Sequence, residues 1–374
     1  MRREVAVLGV TLLALTLVLA GCSGGSSPTL PSPDGGGGVD QARSTITTDS
    51  EGDLLPDGLG VSNFAVTIDG SPTRVLDVIP GRDTGISICF VVDSTGSMGG
   101  EIDGVIDSIE AFAAGFVGFS VTWSGIEFGD ATPSDGPNTW DFFGSLRERT
   151  LVQVASGITA LQEWLAPIAA SGGGDAPENP LKALMEARST MAWPAGAARH
   201  FIVITDVGAH QRSDGPTDPD GGGRPDGAPF CPYEGSEVLA TFKSWPGVIH
   251  AVSPDFTDYW ADADAAQAAT ANAPSVKPQV IAGWAGWDIR ELADGGPAAY
   301  RTHNGTGGKW AELPESGSLD LTTLGIDEYI KQSYTVVYRI PEGATSGHVV
   351  ITATYLDGGV SKTSTFDLGT VFFD

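Results

Sequence analysis

Asp93, Thr95 and Ser97 have the residue types and the spacing that metal chemistry requires. They follow directly on the apolar run 86–92, and a continuous apolar run of this length is typical of a strand that is buried on both faces. A carboxylate and two hydroxyls at alternate positions at the end of such a strand form half of an oxygen-ligand site for a hard divalent cation. The sequence therefore favours metal-dependent binding first and catalysis second.

Two later loops supply further oxygen donors. Asp206 directly follows the apolar run 201–205, and Glu178 follows a glycine run, 172–174, that lets the backbone approach closely. Open α/β sheets bind ligands beyond the carboxyl ends of their strands, so we expect these loops to meet. The candidate ligands are Asp93, Thr95, Ser97, Glu178 and Asp206. Because the set has no His or Cys, it suits Mg²⁺ or Mn²⁺ rather than zinc.

Each loop also has an interpretation without a metal. Residues 93–97 could simply cap a helix after a strand, since Ser, Thr and Asp favour such positions. Asp175 and Glu178 have the spacing of a capping box, although the Asn-Pro pair at 179–180 offers a better helix start. Asp206 could be a turn residue, but packing explains poorly an aspartate placed directly after a buried strand.

The elements that position these loops are predicted from hydrophobic periodicity. Apolar strands alternate with amphipathic helices from about residue 86 to 330, which indicates an α/β fold with a doubly wound, mostly parallel sheet. Strands are predicted at 86–92, 125–128, 201–205 and 248–252, and more weakly at 280–283. Helical spacing predicts two helices. Val105, Ile109, Phe112 and Phe116 recur on the first, and Leu181, Leu184, Met185 and Arg188 occupy the second.

Residues 43–82 and 333–374 show β alternation on either side of the central unit, residues 83–332. Neither segment has enough strands for a core of its own, so we expect them to pair into one small β-sandwich-like unit that carries the α/β unit as an insertion. The alternative is that each segment extends the central sheet or packs on it separately. Contacts between 64–68 and 349–354 distinguish the two arrangements.

The first residues indicate export. Arg2 and Arg3 precede an apolar stretch, 5–20, that is short for a membrane span, so we interpret residues 1–21 as a signal peptide. Residues 22–42 are rich in Gly, Ser and Pro and have nothing to bury, as in a tether.

The stretch before Cys22 resembles the lipobox of bacterial lipoproteins, in which small residues precede a cysteine that becomes lipidated. This resemblance implies that Cys22 anchors the chain to the bacterial cell envelope, at the outer membrane or the cell surface, through lipid alone. An ordinary secretory signal that happens to contain a cysteine is the alternative.

The net charge limits the kinds of molecule that the chain can bind. With 20 Lys+Arg against 47 Asp+Glu, the formal net charge of −27 repels nucleic acids and favours cations.

A disulfide between Cys89 and Cys231 is not expected, because Cys89 lies in a predicted core strand and Cys231 in a Pro/Gly/Asp-rich loop.

The three metal-type motifs together resemble those of von Willebrand factor type A domains. Residues 92–98 are similar to the D-x-[ST]-x-S motif of that family, and residues 204–206 to its later strand-end aspartate. Most type A domains place a threonine in the middle loop, whereas residues 175–178, Asp-Ala-Pro-Glu, resemble the integrin β-subunit version. The resemblance covers roughly residues 84–332 and implies a Rossmann-like fold with a metal-ion-dependent adhesion site.

In that site the five candidate ligands would surround the cation, and a carboxylate of a protein partner would complete the shell. Integrin relatives hold an adjacent ion with two acidic residues, which here are Gly100 and Glu101, so one of them is kept. Asp175 matches a residue that serves a further neighbouring ion, but its asparagine companion is Gly173 here. A second ion, Ca²⁺, would therefore depend on Glu101 and Asp175.

Three functions remain open. We favour a non-enzymatic binding module that captures a protein through an acidic side chain. A metal-dependent hydrolase would need a general base and an oxyanion stabiliser, and residues 43–374 contain neither a G-x-S-x-G elbow nor an H-E-x-x-H motif. The third possibility is a structural envelope protein with a non-functional metal site.

Overall fold

A computed structural model shows the fold. It describes residues 41–48, 53–83, 85–130, 132, 150–154, 158–173, 177–191, 193–214, 228–257, 288–299, 305–314 and 319–373. The expectations for the signal peptide, Cys22, Asp175 and the weak strand at 280–283 concern residues outside these stretches. Within the described stretches, no helix is long and apolar enough to cross a membrane.

The described secondary structure alternates between strands and helices in the central part of the chain. The strands are β1 (Gln41–Ile46), β2 (Phe64–Ile68), β3 (Ser71–Thr73), β4 (Val75–Pro80), β5 (Ile86–Asp93), β6 (Val121–Phe128), β7 (Thr150–Val154), β8 (Ala198–Ile204), β9 (Gly247–Ser253), β10 (Trp310–Glu312), β11 (Tyr334–Arg339), β12 (Ser346–Asp357) and β13 (Val360–Phe372). The helices are α1 (Ile102–Ala114), α2 (Thr159–Leu165), α3 (Pro180–Thr190), α4 (Gly235–Ser244), α5 (Arg290–Ala293) and α6 (Ile326–Lys331).

The central sheet has the strand order β10-β9-β8-β5-β6-β7. Its first five strands run parallel, and β7 is antiparallel to β6. Every residue of β5 is buried, as expected for a strand covered by helices on both faces. The predicted α/β fold with a doubly wound, mostly parallel sheet is confirmed.

Helices cover the two faces of this sheet through separate apolar cores. On one face α1, α2 and α6 bury residues such as Val105, Leu161 and Ile330. On the other face α3, α4 and α5 bury residues such as Leu184 and Phe242. The period of 3.6 residues that predicted α1 and α3 thus reflects one apolar stripe per helix facing the sheet.

Cys89 and Cys231 both lie in the second core, and no disulfide joins them. The thiol of Cys89 contacts the sulfur of Met191 at 3.5 Å. Burial raises the pKa of the Cys89 thiol to about 12, so this group is a core residue and not a nucleophile.

The segments that flank the central unit form two antiparallel sheets, β1-β11-β4 and β13-β12-β2-β3. Strand β12 pairs with β2 from Val349 opposite Ile68 to Ala353 opposite Phe64, which is the contact expected of a shared β unit. One apolar core is shared by both sheets and includes Tyr338. Strand β1 begins inside the range expected for the tether, because its ladder with β11 extends to Gln41.

The central unit enters and leaves the β unit through adjacent segments. Pro80 at the end of β4 is paired with Tyr334 at the start of β11. The next residue, Gly81, donates its backbone N–H to the carbonyl of Ser333 at 2.6 Å. A Cβ atom at position 81 would lie 2.6 Å from the carbonyl oxygen of Ile330, so this close passage requires glycine.

Candidate metal centre

The parallel sheet brings the first and third predicted loops together. Strands β5 and β8 are neighbours, with Val92 paired to Ile204. Asp93 ends β5, and Asp206 lies two residues beyond the end of β8. Because parallel strands end at the same edge of a sheet, both carboxylates project from that edge.

Asp93 is completely buried and its carboxylate is held on both oxygens. Its Oδ1 accepts hydrogen bonds from the backbone N–H of Thr95 at 2.9 Å and from the Thr95 hydroxyl at 2.7 Å. Its Oδ2 accepts a hydrogen bond of 2.6 Å from the hydroxyl of Thr205. The side chain is therefore oriented before any ion binds.

Hydroxyl groups connect the two aspartates. The Oγ1 of Thr95 lies 3.1 Å from the Oγ of Ser97, and Ser97 donates a hydrogen bond of 3.1 Å to Oδ1 of Asp206. Four predicted ligands thus form one continuous chain of oxygen atoms in the order Asp93, Thr95, Ser97 and Asp206. Oxygen donors of these two kinds are the ligands that hard divalent cations prefer.

Glu178 lies beside this chain of oxygens. It forms an isolated parallel bridge with Ala209: its N–H donates to the carbonyl of Gly208 at 3.0 Å, and its carbonyl accepts from His210 at 2.7 Å. The side chain is buried. A Cβ atom at Gly173 would lie 3.0 Å from Oε1 of Glu178 and 3.2 Å from Cβ of Thr95, so the two side chains face each other across this glycine.

Asn179 fixes the position of the loop that carries Glu178. Its side-chain amide donates to the carbonyls of Asp130 at 2.8 Å and Phe230 at 2.7 Å. Its backbone N–H donates to the carbonyl of Gly129 at 3.0 Å. Helix α3 begins at the next residue, Pro180, as the Asn-Pro pair predicted.

The glycine run approaches the first loop closely, as its composition predicted. The N–H of Gly96 donates to the carbonyl of Gly172 at 2.9 Å, and the N–H of Ser171 donates to the carbonyl of Ser94 at 2.9 Å. Gly173 has a φ of +81°, a conformation that side chains other than glycine rarely adopt. The two loops are therefore joined by hydrogen bonds between their backbones.

Both aspartates resist ionisation in the metal-free protein. Burial, with a contribution from the charge of Asp206, raises the pKa of Asp93 to about 7 despite the hydrogen bonds from Thr205 and Thr95. Burial also raises the pKa of Asp206, and the charge of Glu101 acts in the same direction. A cation would offset both the desolvation and the repulsion, so the donor set fits a divalent metal.

The carboxylates do not form a metal cage by themselves. Among the described residues, no group of three or more His, Cys, Asp or Glu side chains is arranged to hold an ion. The site is a mixed one, in which two carboxylates are linked by hydroxyls and Glu178 lies beside Thr95. Such a set suits a cation that retains water ligands, as Mg²⁺ does.

Of the two residues considered for a second ion, only Glu101 is described. It immediately precedes α1, and its charge acts on Asp206. Asp175 lies outside the described stretches, so the second site stays a prediction.

Thr205 and Asn179 are the functional-site residues that sequence reasoning missed. Thr205 could have been found from its position in the sequence, because it lies between a buried strand and the predicted ligand Asp206. His210 follows the third loop and is buried, with its ring stacked on that of Phe230 at 4.7 Å between ring centres. It contributes its backbone N–H to the Glu178 bridge.

No family model matches the chain, and no curated protein matches it. Solved structures with distant similarity include the pilus adhesin SpaC from Lactobacillus rhamnosus GG in an open conformation, at 11% identity and a TM-score of 0.38, covering 87% of this chain and 47% of that one. They also include proximal thread matrix protein 1 from the mussel byssus, at 12% identity and a TM-score of 0.29, covering 47% and 37%. The form of that mussel protein with a zinc-occupied MIDAS motif aligns at 10% identity and a TM-score of 0.35, covering 73% and 49%. The chain spans less than half the length of each of these proteins.

Proposed function

We propose that this chain is a module of the bacterial cell envelope that binds a protein partner through a divalent cation, Mg²⁺ or Mn²⁺. The observation that carries the proposal is the chain of oxygens from Asp93 through Thr95 and Ser97 to Asp206, in which both carboxylates have raised pKa values. We assign these four residues as ligands, directly or through water, with Glu178 as a further acceptor beside them.

Neighbouring hydroxyl groups orient the two aspartates of the proposed site. Thr205 and Thr95 hold Asp93 from its two oxygens, so the carboxylate does not have to be ordered when the ion arrives. Ser97 holds Asp206 in the same way. When bound, the ion supplies the positive charge that allows one more carboxylate, from the partner, to approach.

An acidic partner group is the chemistry that this arrangement suits. The chain has a formal net charge of −27, so a free carboxylate would be repelled from most of its surface. A cation at the edge of the sheet reverses this repulsion locally, which makes recognition dependent on the metal. We expect no turnover of a substrate.

The proposed location follows from residues 1–22 alone. The expected export signal and the lipobox-like sequence before Cys22 support a location at the bacterial envelope, with the Gly/Ser/Pro tract as a tether. Cleavage before Cys22 and a mass increase for a lipid on the mature protein, measured by mass spectrometry, test this part.

Calorimetric titration tests the metal site directly. Mg²⁺ or Mn²⁺ is titrated into the chelator-treated full-length chain and into Asp93→Asn and Asp206→Asn. The matched control is Asp107→Asn, which removes one negative charge from an exposed position on α1. We expect one ion per chain in the wild type and the control, and loss of binding in both site variants. A folded protein that binds no ion would contradict the proposal and favour a structural role.

The partner chemistry requires a second experiment. Arrayed peptides that contain one Asp or Glu are compared with the same peptides carrying Asn or Gln, in Mg²⁺ and in EDTA. Binding that needs both the acidic residue and Mg²⁺, and that Asp206→Asn abolishes, supports the proposal. Binding that is equal in EDTA would contradict it.

A further inference from the structure

A second site of different chemistry lies at the opposite edge of the central sheet. A cavity of about 150 Å³ opens between the β unit and the start of β8. Its lining includes Arg43 from β1 and Arg199 from β8. Arg199 precedes Asp206 by seven residues along an extended strand, so the cavity is roughly 20 Å from the proposed metal. The two sites are therefore independent in composition and position.

The charge of this cavity is unusual for the chain. Acidic residues outnumber basic ones by 47 to 20, yet among the described residues that line this cavity two are arginines and none is Asp or Glu. In a protein with this excess of negative charge, two arginines in one cavity supply positive charge that attracts an anion.

Both guanidinium groups are held in position by the fold. A Cβ atom at Gly196 would lie 2.5 Å from Nη1 of Arg43, so the Arg43 side chain rests on the turn at this glycine, whose φ is +77°. The guanidinium carbon of Arg199 lies 4.4 Å from the centre of the Trp245 ring, a cation–π contact that orients its plane. Side chains that are ordered before binding lose less entropy when a ligand arrives.

One part of the remaining wall is apolar. Pro246, Phe372 and Phe373 line the cavity, and Phe372 keeps 64% of its surface exposed. A volume of about 150 Å³ suits a small organic molecule better than a polymer. An anion with a carbon skeleton would use both the arginines and this wall.

We propose that this cavity binds a small organic carboxylate, held between Arg43 and Arg199 with its carbon skeleton against Phe372 and Pro246. The planar fork of arginine matches the planar carboxylate, and paired charge-assisted hydrogen bonds of this kind are among the strongest in proteins. Because Arg43 belongs to the β unit and Arg199 to the α/β unit, the ligand joins the two units.

Ligand titration of the full-length chain tests this site. The probes are benzoate, acetate and inorganic phosphate. They are added to protein from which metal, and then the chelator, has been removed by dialysis, so that the metal site is empty and no other carboxylate competes. Binding is followed by calorimetry and ligand-observed NMR. We expect benzoate to bind more tightly than acetate, because only benzoate uses the apolar wall. Phosphate binding more tightly than benzoate would overturn the assignment to a carboxylate.

Variants locate the binding. Arg43→Gln is expected to weaken benzoate binding at least tenfold. Arg74→Gln, at an exposed position of the same β unit outside the cavity, is expected to leave it unchanged. Equal effects of the two variants, or no binding of any carboxylate to the wild type, would overturn the proposal.

A second variant covers the case in which Arg43→Gln does not fold. Arg199→Lys keeps the charge but loses the planar fork and its contact with Trp245, so it is also expected to weaken benzoate binding. Full affinity in folded Arg199→Lys would exclude Arg199 from the site.

Discussion

The hydroxyl of Thr205 donates a hydrogen bond of 2.6 Å to Oδ2 of Asp93, on the carboxylate oxygen that Thr95 does not contact. This relationship joins two neighbouring strands at their ends, since Asp93 closes β5 and Thr205 follows β8. The side chain that is most buried in the candidate site is thus oriented from the next strand, and the ion-binding geometry depends on a residue that would not itself be a ligand.

Replacing Thr205 with valine is expected to weaken Mg²⁺ binding by about tenfold, the effect typical of losing a group that orients a ligand. The variant keeps the shape of the side chain but leaves one oxygen of a buried carboxylate without its donor, so unfolding should also become easier by about 1.5–3 kcal/mol. Calorimetry and thermal unfolding measure the two effects. Thr205→Ser, which restores the hydroxyl, should recover most of the affinity, and failure of this rescue would assign the effect to packing.

Metal binding is expected to depend on pH in a defined direction. The pKa of Asp93 is raised to about 7, so protons compete with the cation below that pH. Apparent Mg²⁺ affinity should be constant above about pH 8 and should fall about tenfold for each pH unit below 7. Titrations at pH 5.5, 6.5, 7.5 and 8.5 check this. An affinity that is flat over this range would mean that Asp93 is not a ligand.

The metal-free protein should lose stability as pH rises, as far as Asp93 is concerned. Its folded-state pKa of about 7 exceeds the ordinary aspartate pKa of 3.8. Between these two pH values the folded state therefore holds a proton that the unfolded state releases. The stabilisation that Asp93 gives the folded state in this way is fully present below about pH 4. It falls by at most about 1.4 kcal/mol per pH unit and is absent above pH 7.

Asp93→Asn isolates that contribution. The buried imidazoles of His200 and His250, whose pKa values are lowered, act in the opposite direction below pH 6.5, so the difference between variant and wild type is the useful quantity. In EDTA, the free energy of unfolding of Asp93→Asn should rise relative to that of the wild type from pH 4 to 7. Above pH 7 the difference should be constant. Urea unfolding at each pH measures it, and a difference that does not change with pH would contradict the raised pKa.

Much of the fold was predictable because its strands are continuous apolar runs. Strand β5 is buried over its whole length and was located to within one residue. Strand β6 was predicted to begin at Gly125 but begins at Val121, because Thr122 and Ser124 interrupt the apolar run. Ser124 donates a hydrogen bond to the carbonyl of Ile88 on β5. Because the two residues are far apart in the chain, this contact cannot be recognised from the residues around Ser124.

The part of the candidate site that could be predicted is the part whose oxygen-bearing residues lie close together in the sequence. Asp93, Thr95 and Ser97 lie within one short loop, so their proximity follows from spacing alone. The position of Glu178 depends instead on its bridge to Ala209 and on the amide of Asn179, which joins segments about 50 residues apart. Such contacts exist only after the chain has folded.

Gly173→Ala is expected to impair metal binding more than stability. The new Cβ would lie 3.0 Å from Oε1 of Glu178 and 3.2 Å from Cβ of Thr95, so it pushes apart two side chains of the site. The variant also strains the backbone, because φ at this position is +81°. We therefore expect Mg²⁺ affinity to fall by at least tenfold, together with a loss of about 1 kcal/mol of stability.

Gly70→Ala separates backbone strain from disturbance of the site. Its φ is +75°, nearly that of Gly173, but a Cβ there would have no neighbour within 4 Å. This control should lose similar stability and keep full Mg²⁺ affinity, as measured by thermal unfolding and calorimetry. If both variants kept the wild-type affinity, Glu178 and Thr95 would tolerate separation, and the candidate ligand set would shrink to Asp93, Ser97 and Asp206.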